Sequence, residues 1–307
     1  MEYPDWVQLE LKLESILSHL NLGDYSSYSL LPGSTSVCNY KILTTDKELV
    51  LRYFGQRKAE YEYTLLSGLP EYGVPTPEVY HFEGGNSSFL LMEYLPDGTL
   101  TDKLLNEKSN TLEIERSVMQ YVTILRKIHM VRWKEMFPNS GMNIKKYPSI
   151  LENQCKRDSK SFGGKNAMKD VLGWITKRKR EVICTDPHLL HSDYHPSNIM
   201  LRGNQQVPID YEGAEIGDIR YDLGFAALTF SFGSPSLSVD SIIDLYRNIS
   251  GETIEDMDYF VVCSAVPRIV KLNAILTPEF PKYEMYRNFM NGMISNVEEL
   301  TKQSIIY

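Results

Sequence analysis

Cysteine is scarce in this chain, and what there is stands apart. Four cysteines occur in 307 residues, Cys38, Cys155, Cys184 and Cys263, and no C-x-x-C pair is among them. That pattern excludes a disulfide framework and a zinc knuckle, and it sets the expectation of a reducing, cytoplasmic compartment. Positive charge is also in deficit: 32 Lys and Arg stand against 40 Asp and Glu, for a net charge of −8. Nucleic acid and anionic membranes reward clustered Lys and Arg, so neither is an expected partner. The acidic balance leans instead toward a cationic small molecule. Long apolar runs are missing too. The longest, around residues 223–233, is too short to span a bilayer. Residues 1–14 are charged and carry no apolar core, which argues against a signal peptide. There is no internal repeat, no low-complexity segment, and no feature that bears on oligomeric state.

What is present suits a globular protein. A 42% hydrophobic and 23% charged chain can bury a core. Residues 5–20 carry apolar side chains at helical spacing: Val7, Leu9, Leu11, Leu13, Ile16, Leu17 and Leu20. Residues 25–54 alternate and are cut by two turns, which predicts three antiparallel strands. A helix is expected over 56–69 and two further strands within 73–95, around the turn GGN. After PDGT, at 96–99, the texture becomes helical. Helices are expected near 111–131, 148–161, 167–183, 221–231, 238–248, 254–275 and 282–302. One hairpin interrupts them at 198–213, with its turn at RGNQ. The fold class this predicts is α+β, with a strand-rich region over 1–95 and a mostly helical one over 96–307.

Two short segments carry chemistry, HSDYHPSN at 191–198 and VPIDYEG at 207–213. Asp193 and Asn198 are five residues apart, and Asp210 follows twelve beyond Asn198. Phosphoryl transfer needs a carboxylate to orient a hydroxyl and take its proton. It also needs hard oxygen ligands to hold Mg²⁺ against the nucleotide phosphates. Asp193 is the candidate base, Asn198 and Asp210 are the candidate metal ligands, and Pro196 stiffens the loop between them. A zinc site of Cys184, His188, His191 and His195 is the competing reading, but Pro187 and Pro196 argue against the single helix that would align them. Asp193 standing alone would be read as a turn residue.

HSDYHPSNIML followed by IDYEGAEIGDIRYDLG resembles the aminoglycoside phosphotransferase and choline kinase superfamily, the small-molecule relatives of protein kinases. The resemblance rests on His191, Asp193, Asn198, Ile209, Asp210, Glu212, Gly217, Asp218, Asp222 and Leu223, and extends over roughly residues 25–230. It implies a protein-kinase-like two-lobe fold, with a small antiparallel-sheet N-lobe and a mostly helical C-lobe. It also implies that Ser34, Thr35 and Ser36 cradle the nucleotide phosphates. Arg52 would reach those phosphates from the third strand, with Lys41 as its rival, and Glu62 would pair with Arg52, with Glu60 as a stand-in. Met92 would be the gatekeeper, and backbone groups of Glu93 to Leu95 would receive the base. His129 matches the end of a Leu-x-x-x-His helix, and His191 would organise the catalytic loop. Asp222 would either cap the next helix or brace that loop; Asp218 would be scaffold or site. The chain departs from the pattern in a nucleotide loop with a single glycine, in Arg52 where Lys is usual, and in Tyr211 where Trp or Phe is usual.

The activity implied is Mg²⁺- and ATP-dependent transfer of the γ-phosphoryl group to a hydroxyl of a small molecule, with GTP as the alternative donor. Aminoglycosides, choline, ethanolamine and related metabolites are the acceptor classes. A pseudokinase acting as an interaction module is the second reading, and three filled catalytic positions argue against it. A protein substrate is disfavoured because no A-P-E-like segment follows Asp210.

Overall fold

The computed structural model describes residues 3–32, 37–56, 59–105, 110–162, 167–233, 237–280 and 283–305. The chain divides into two compact units, Met1–Gly98 with Met200–Glu212, and Thr99–Ile199 with Gly213–Tyr307.

The first unit opens with α1 (Trp6–Leu20), whose first turn is capped by the Asp5 carboxylate accepting the Val7 N–H at 3.2 Å. Asn21, at φ 53°, ends the helix in a left-handed cap. The helix buries Leu9, Leu13 and Leu17, one residue per turn, while Val7 and Leu11 of the same apolar set face solvent. Next come β1 (Tyr25–Leu30), β2 (Cys38–Thr44), β3 (Glu48–Gly55), α2 (Glu60–Gly68), β4 (Val79–Glu83) and β5 (Ser88–Glu93). The strands form one antiparallel sheet in the order β1-β2-β3-β5-β4.

Side chains alternate across a strand. Leu49, Leu51 and Tyr53 of β3 therefore join Tyr40, Ile42, Phe89, Leu91 and the α1 leucines in a single core. Each fully buried leucine there contributes about 1.5–3 kcal/mol. The same alternation turns Arg52 to the other face, in register with Asn39 and Leu90.

The second unit holds α3 (Leu100–Leu104), α4 (Thr111–His129), α5 (Trp133–Met136), α6 (Tyr147–Asp158), α7 (Lys169–Arg178) and β6 (His188–Leu190). A hairpin follows, β7 (Ile199–Arg202) and β8 (Gln205–Pro208), and from Met200 onward it belongs to the first unit. Leu201 N–H donates to the Gly98 carbonyl at 3.0 Å, and Gly203 N–H to the Asp97 carboxylate at 2.7 Å. The expectation of two consecutive segments, 1–95 and 96–307, leaves out this return. The second unit resumes with β9 (Glu215–Gly217), α8 (Ile219–Gly233), α9 (Val239–Ser250), α10 (Met257–Ile275) and α11 (Tyr283–Thr301). Strands β6 and β9 pair antiparallel, with His188 opposite Gly217. They and α3 and α5 are too short to print a period on the sequence. Thr99, at the end of PDGT, starts α3 through a capping box with Asp102.

Two glycines in the motif region sit where a side chain would crowd its neighbours. A Cβ on Gly217 would lie 2.6 Å from the Tyr147 ring, and one on Gly224 would lie 3.1 Å from the backbone of Val261. The second contact marks the close approach of α8 to α10. An antiparallel sheet with its helix in one unit and a mostly helical second unit make the α+β, protein-kinase-like fold. No helix among the described residues is long and apolar enough to cross a membrane.

Candidate active site

In the first unit, Arg52 is buried, against the usual habit of a strand arginine. Its Nε donates to Glu62 Oε2 at 3.1 Å, Nη1 to Asn39 Oδ1 at 3.4 Å, and Nη2 to Asp210 Oδ1 at 2.5 Å. Glu212 lies 3.9 Å from the same guanidinium. The acid of α2 that meets Arg52 is thus Glu62, also buried, while Glu60 is exposed. Lys41 sits elsewhere: it pairs with Glu48 at 2.7 Å and lies over the Tyr94 ring at 4.3 Å. Burial pushes the Glu62 carboxyl up; Arg52 opposes this, and the charges of Asp210 and Glu212 add to it. Three carboxylates converge on one cation. Asp210 itself has φ 67°, a left-handed conformation that aspartate tolerates better than most residues.

At the end of β5, Met92 and Leu95 are buried. The Glu93 N–H is engaged with the Glu78 carbonyl at 2.9 Å, and its carboxylate is paired with Arg202. Ser34, Thr35 and Ser36 lie outside the described residues.

In the second unit, the catalytic-loop candidates follow β6. Asp222, on the first turn of α8, is fully buried beneath them. It accepts the N–H of His191 at 2.7 Å and of Ser192 at 2.8 Å, and His129 Nε2 approaches it at 3.3 Å. Of the two roles expected for Asp222, the bracing one holds, since the residue is already inside the helix. Burial alone would raise its carboxyl; His129 and His191 outweigh burial and hold it below the usual range. Burial pushes the His129 imidazole down, and its Nδ1 meets the Tyr246 hydroxyl at 2.7 Å. Asp218 is scaffold: Arg220 donates to both its carboxylate oxygens, at 2.8 and 2.7 Å.

Asp193 is partly exposed. His195 Nδ1 accepts the Ser197 N–H at 3.3 Å, so its proton sits on Nε2, 3.6 Å from the Asp193 carboxylate. Arg268 of α10 lies 3.9 Å from the same carboxylate. Burial works against the charge, but His195, Arg268 and His191 outweigh it and hold Asp193 well below the usual carboxylate range. The Asn198 amide nitrogen donates to Asp193, to its carbonyl at 3.1 Å and its carboxylate at 3.3 Å. Its amide oxygen is the atom left for a cation. Sequence reasoning missed Asn39 and Arg268; neither lies in a motif.

Among the described residues, no three His, Cys, Asp or Glu side chains gather as a metal site. His188 bonds the His129 carbonyl, His195 faces Asp193, and Cys184 lies against Arg220, so the residues of the zinc reading go to separate partners. Magnesium asks for less. It keeps several waters and needs one or two carboxylates beside substrate phosphates. In the first unit the Asp210 carboxylate, within an anionic surplus, is a hard donor of the kind magnesium takes; in the second unit the Asn198 amide oxygen is another.

Residues 27–256 match the profile of the phosphotransferase enzyme family. No curated protein sequence matches the chain. Among solved structures, a candidate aminoglycoside phosphotransferase from Ralstonia eutropha is similar at 16% identity over 94% of this chain and 97% of that one, with a TM-score of 0.75. A thermostable mutant of the aminoglycoside phosphotransferase APH(4)-Ia, in ternary complex with ADP and hygromycin B, is similar at 11% identity over 94% and 98%, with a TM-score of 0.64. A choline/ethanolamine kinase family protein from Mesorhizobium loti is similar at 14% identity over 96% and 94%, with a TM-score of 0.64. At such identities these likenesses concern the fold alone. The profile match, by contrast, covers residues 27–256, well over half of the chain, and on that ground the chain belongs to the phosphotransferase enzyme family.

Proposed function

We propose that the protein transfers the γ-phosphoryl group of ATP, with GTP as the alternative donor, to a hydroxyl of a small molecule. The observation that carries this reading is the placement of Asp193: its carboxylate faces Asn198, His195 and Arg268, on a loop that Asp222 braces from below. Asp193 would orient the acceptor hydroxyl and take its proton as the oxygen bonds to phosphorus and the bond to the leaving nucleoside diphosphate breaks. Asn198 and Asp210 would hold Mg²⁺, which when bound supplies charge neutralisation at the phosphates. Ser34, Thr35, Ser36 and Arg52 would contact those phosphates, Glu62 would keep Arg52 in place, and Met92, Glu93 and Leu95 would receive the base. Nucleotide binding is thereby assigned to residues 1–95, and proton transfer and the acceptor pocket to residues 96–307. Hygromycin B in one neighbour and the choline/ethanolamine kinase description of another support an aminoglycoside or amino alcohol as acceptor. The net charge of −8 favours a cationic one. Four buried cysteines outside any disulfide support a cytoplasmic location.

The test is ADP release from Mg·ATP across amino alcohols, aminoglycosides, sugars and amino-acid alcohols. A hit should fall on the order of 10²–10⁴-fold in Asp193→Ala. Asp210→Ala should also weaken Mg-nucleotide binding by calorimetry. Full activity in Asp193→Ala would remove the base role, and silence across the panel without nucleotide binding would remove the reading itself.

A further inference from the structure

Ser192 directly precedes Asp193 and has φ 67°, in the left-handed region that residues with a Cβ avoid. Its own side chain does not secure it, for the buried Oγ has no hydrogen-bond partner among the described residues. The backbone is held instead, from both ends. The N–H donates to Asp222 Oδ1 at 2.8 Å, and the carbonyl accepts Arg268 Nη2.

Arg268 reaches that carbonyl already fixed on its other sides. Nη1 donates to the Tyr221 hydroxyl at 2.8 Å and to the Ser264 carbonyl at 3.0 Å, and the guanidinium lies 3.8 Å over the Phe225 ring. Tyr221 and Phe225 are on α8, so the arginine spans from α10 across α8 to the loop. The two helices approach closely at Gly224, which packs against the backbone of Val261. Pro267, inside α10, cannot donate to the Cys263 carbonyl, which is taken up by Cys155 Sγ at 3.6 Å. Helix α10 continues past Pro267 and presents Arg268 on the next position.

We propose that Arg268 is a positioning residue for phosphoryl transfer: it locks the Ser192 peptide in its left-handed conformation and so fixes the direction of the Asp193 carboxylate. This rests on the reading of Asp193 as the base. Arg268 acts through the loop and through its own 3.9 Å approach to the Asp193 carboxylate, not on a substrate. A lysine in its place would keep the charge but could not serve the Ser192, Tyr221 and Ser264 oxygens from one planar fork.

The experiment compares wild type, Arg268→Met, Arg268→Lys and both changes in a Ser192→Gly background, with thermal unfolding as the check on folding. Three readouts are taken: kcat, KM for each substrate, and amide hydrogen exchange over residues 191–194. A misdirected base should lower kcat by about 10- to 100-fold in Arg268→Met, with both KM values within about twofold. Arg268→Lys should share most of that loss. Glycine adopts positive φ freely, so Ser192→Gly should shrink the loss several-fold. Exchange should quicken in Arg268→Met, and Ser192→Gly should slow it again. A raised acceptor KM with unchanged kcat would make Arg268 a substrate contact and overturn the proposal. An equal loss in both backgrounds, or unchanged exchange, would overturn it as well. If the wild-type protein transfers no phosphoryl group, the reading of function falls on its own, and exchange still decides whether Arg268 holds the loop.

Discussion

Around Arg52, in the first unit, one guanidinium faces the carboxylates of Glu62, Asp210 and Glu212. Around Glu152, in the second, one buried carboxylate faces two ammonium groups, Lys156 at 2.5 Å and Lys179, and the Thr176 hydroxyl at 2.7 Å. The two clusters are balanced in opposite directions, and their carboxyls respond accordingly. Burial pushes Glu62 up, and the neighbouring acids reinforce it against Arg52. Burial pushes Glu152 the same way, but Lys156, Lys179 and Thr176 overcome it and bring the carboxyl down to about 2. A buried charge that meets its full complement of opposite charge is finished as structure. One surrounded by surplus charge of a single sign has room for a further cation, as a site handling a metal and phosphates requires.

The largest effect expected within this comparison comes from Arg52→Met. Removing the one cation leaves Glu62 buried and unpaired, which should cost about 3–5 kcal/mol in urea unfolding. A loss below about 1 kcal/mol would mean that the three carboxylates are stable without the guanidinium.

Glu152→Gln should cost less at neutral pH, on the order of 1–2 kcal/mol once screening at its part-exposed lysine partners is allowed for, with the carboxyl lowered from 4.5 to about 2. Because the folded value is the lower one, this stabilisation is present above about pH 4.5 and is lost as pH falls toward about 2. The gap between wild type and variant should therefore close over that window; a gap that persists at its acid end would assign the effect to packing rather than charge. Lys41→Met gives the smallest effect. Its pair with Glu48 is partly exposed, so neither melting temperature nor Mg-nucleotide affinity should change measurably. A clear loss of nucleotide affinity would move the phosphate-contacting role from Arg52 to Lys41.

Much of the site was legible because its chemistry is local in sequence. Asp193 and Asn198 lie in one eight-residue segment and Asp210 in the next, and their residue types suit a base and hard metal ligands. Arg52 and Glu62 were legible only through the family resemblance; strand alternation alone would leave an arginine such as Arg52 facing solvent. For Asp222 the sequence allows two roles, helix cap and loop brace. Its hydrogen bonds to His191 and Ser192 cross thirty residues, and no spacing rule predicts them. Arg268 was not legible at all. Nothing in SAVPRIVKL marks it out, and its partners come from α8, the loop at Ser192 and its own preceding turn.

The sequence by itself determined the α+β class, the five-strand region, the helical remainder and the identity of the candidate base and metal ligands, because hydrophobic period and short motifs are properties of neighbouring residues. Only the tertiary structure decided that Arg52 is buried among three acids, that 200–212 returns to the first unit, and that Ser192 is held left-handed from both ends. Each of those depends on groups far apart in the chain arriving at hydrogen-bond distance, and that is fixed by how sheets and helices pack rather than by the order of their residues.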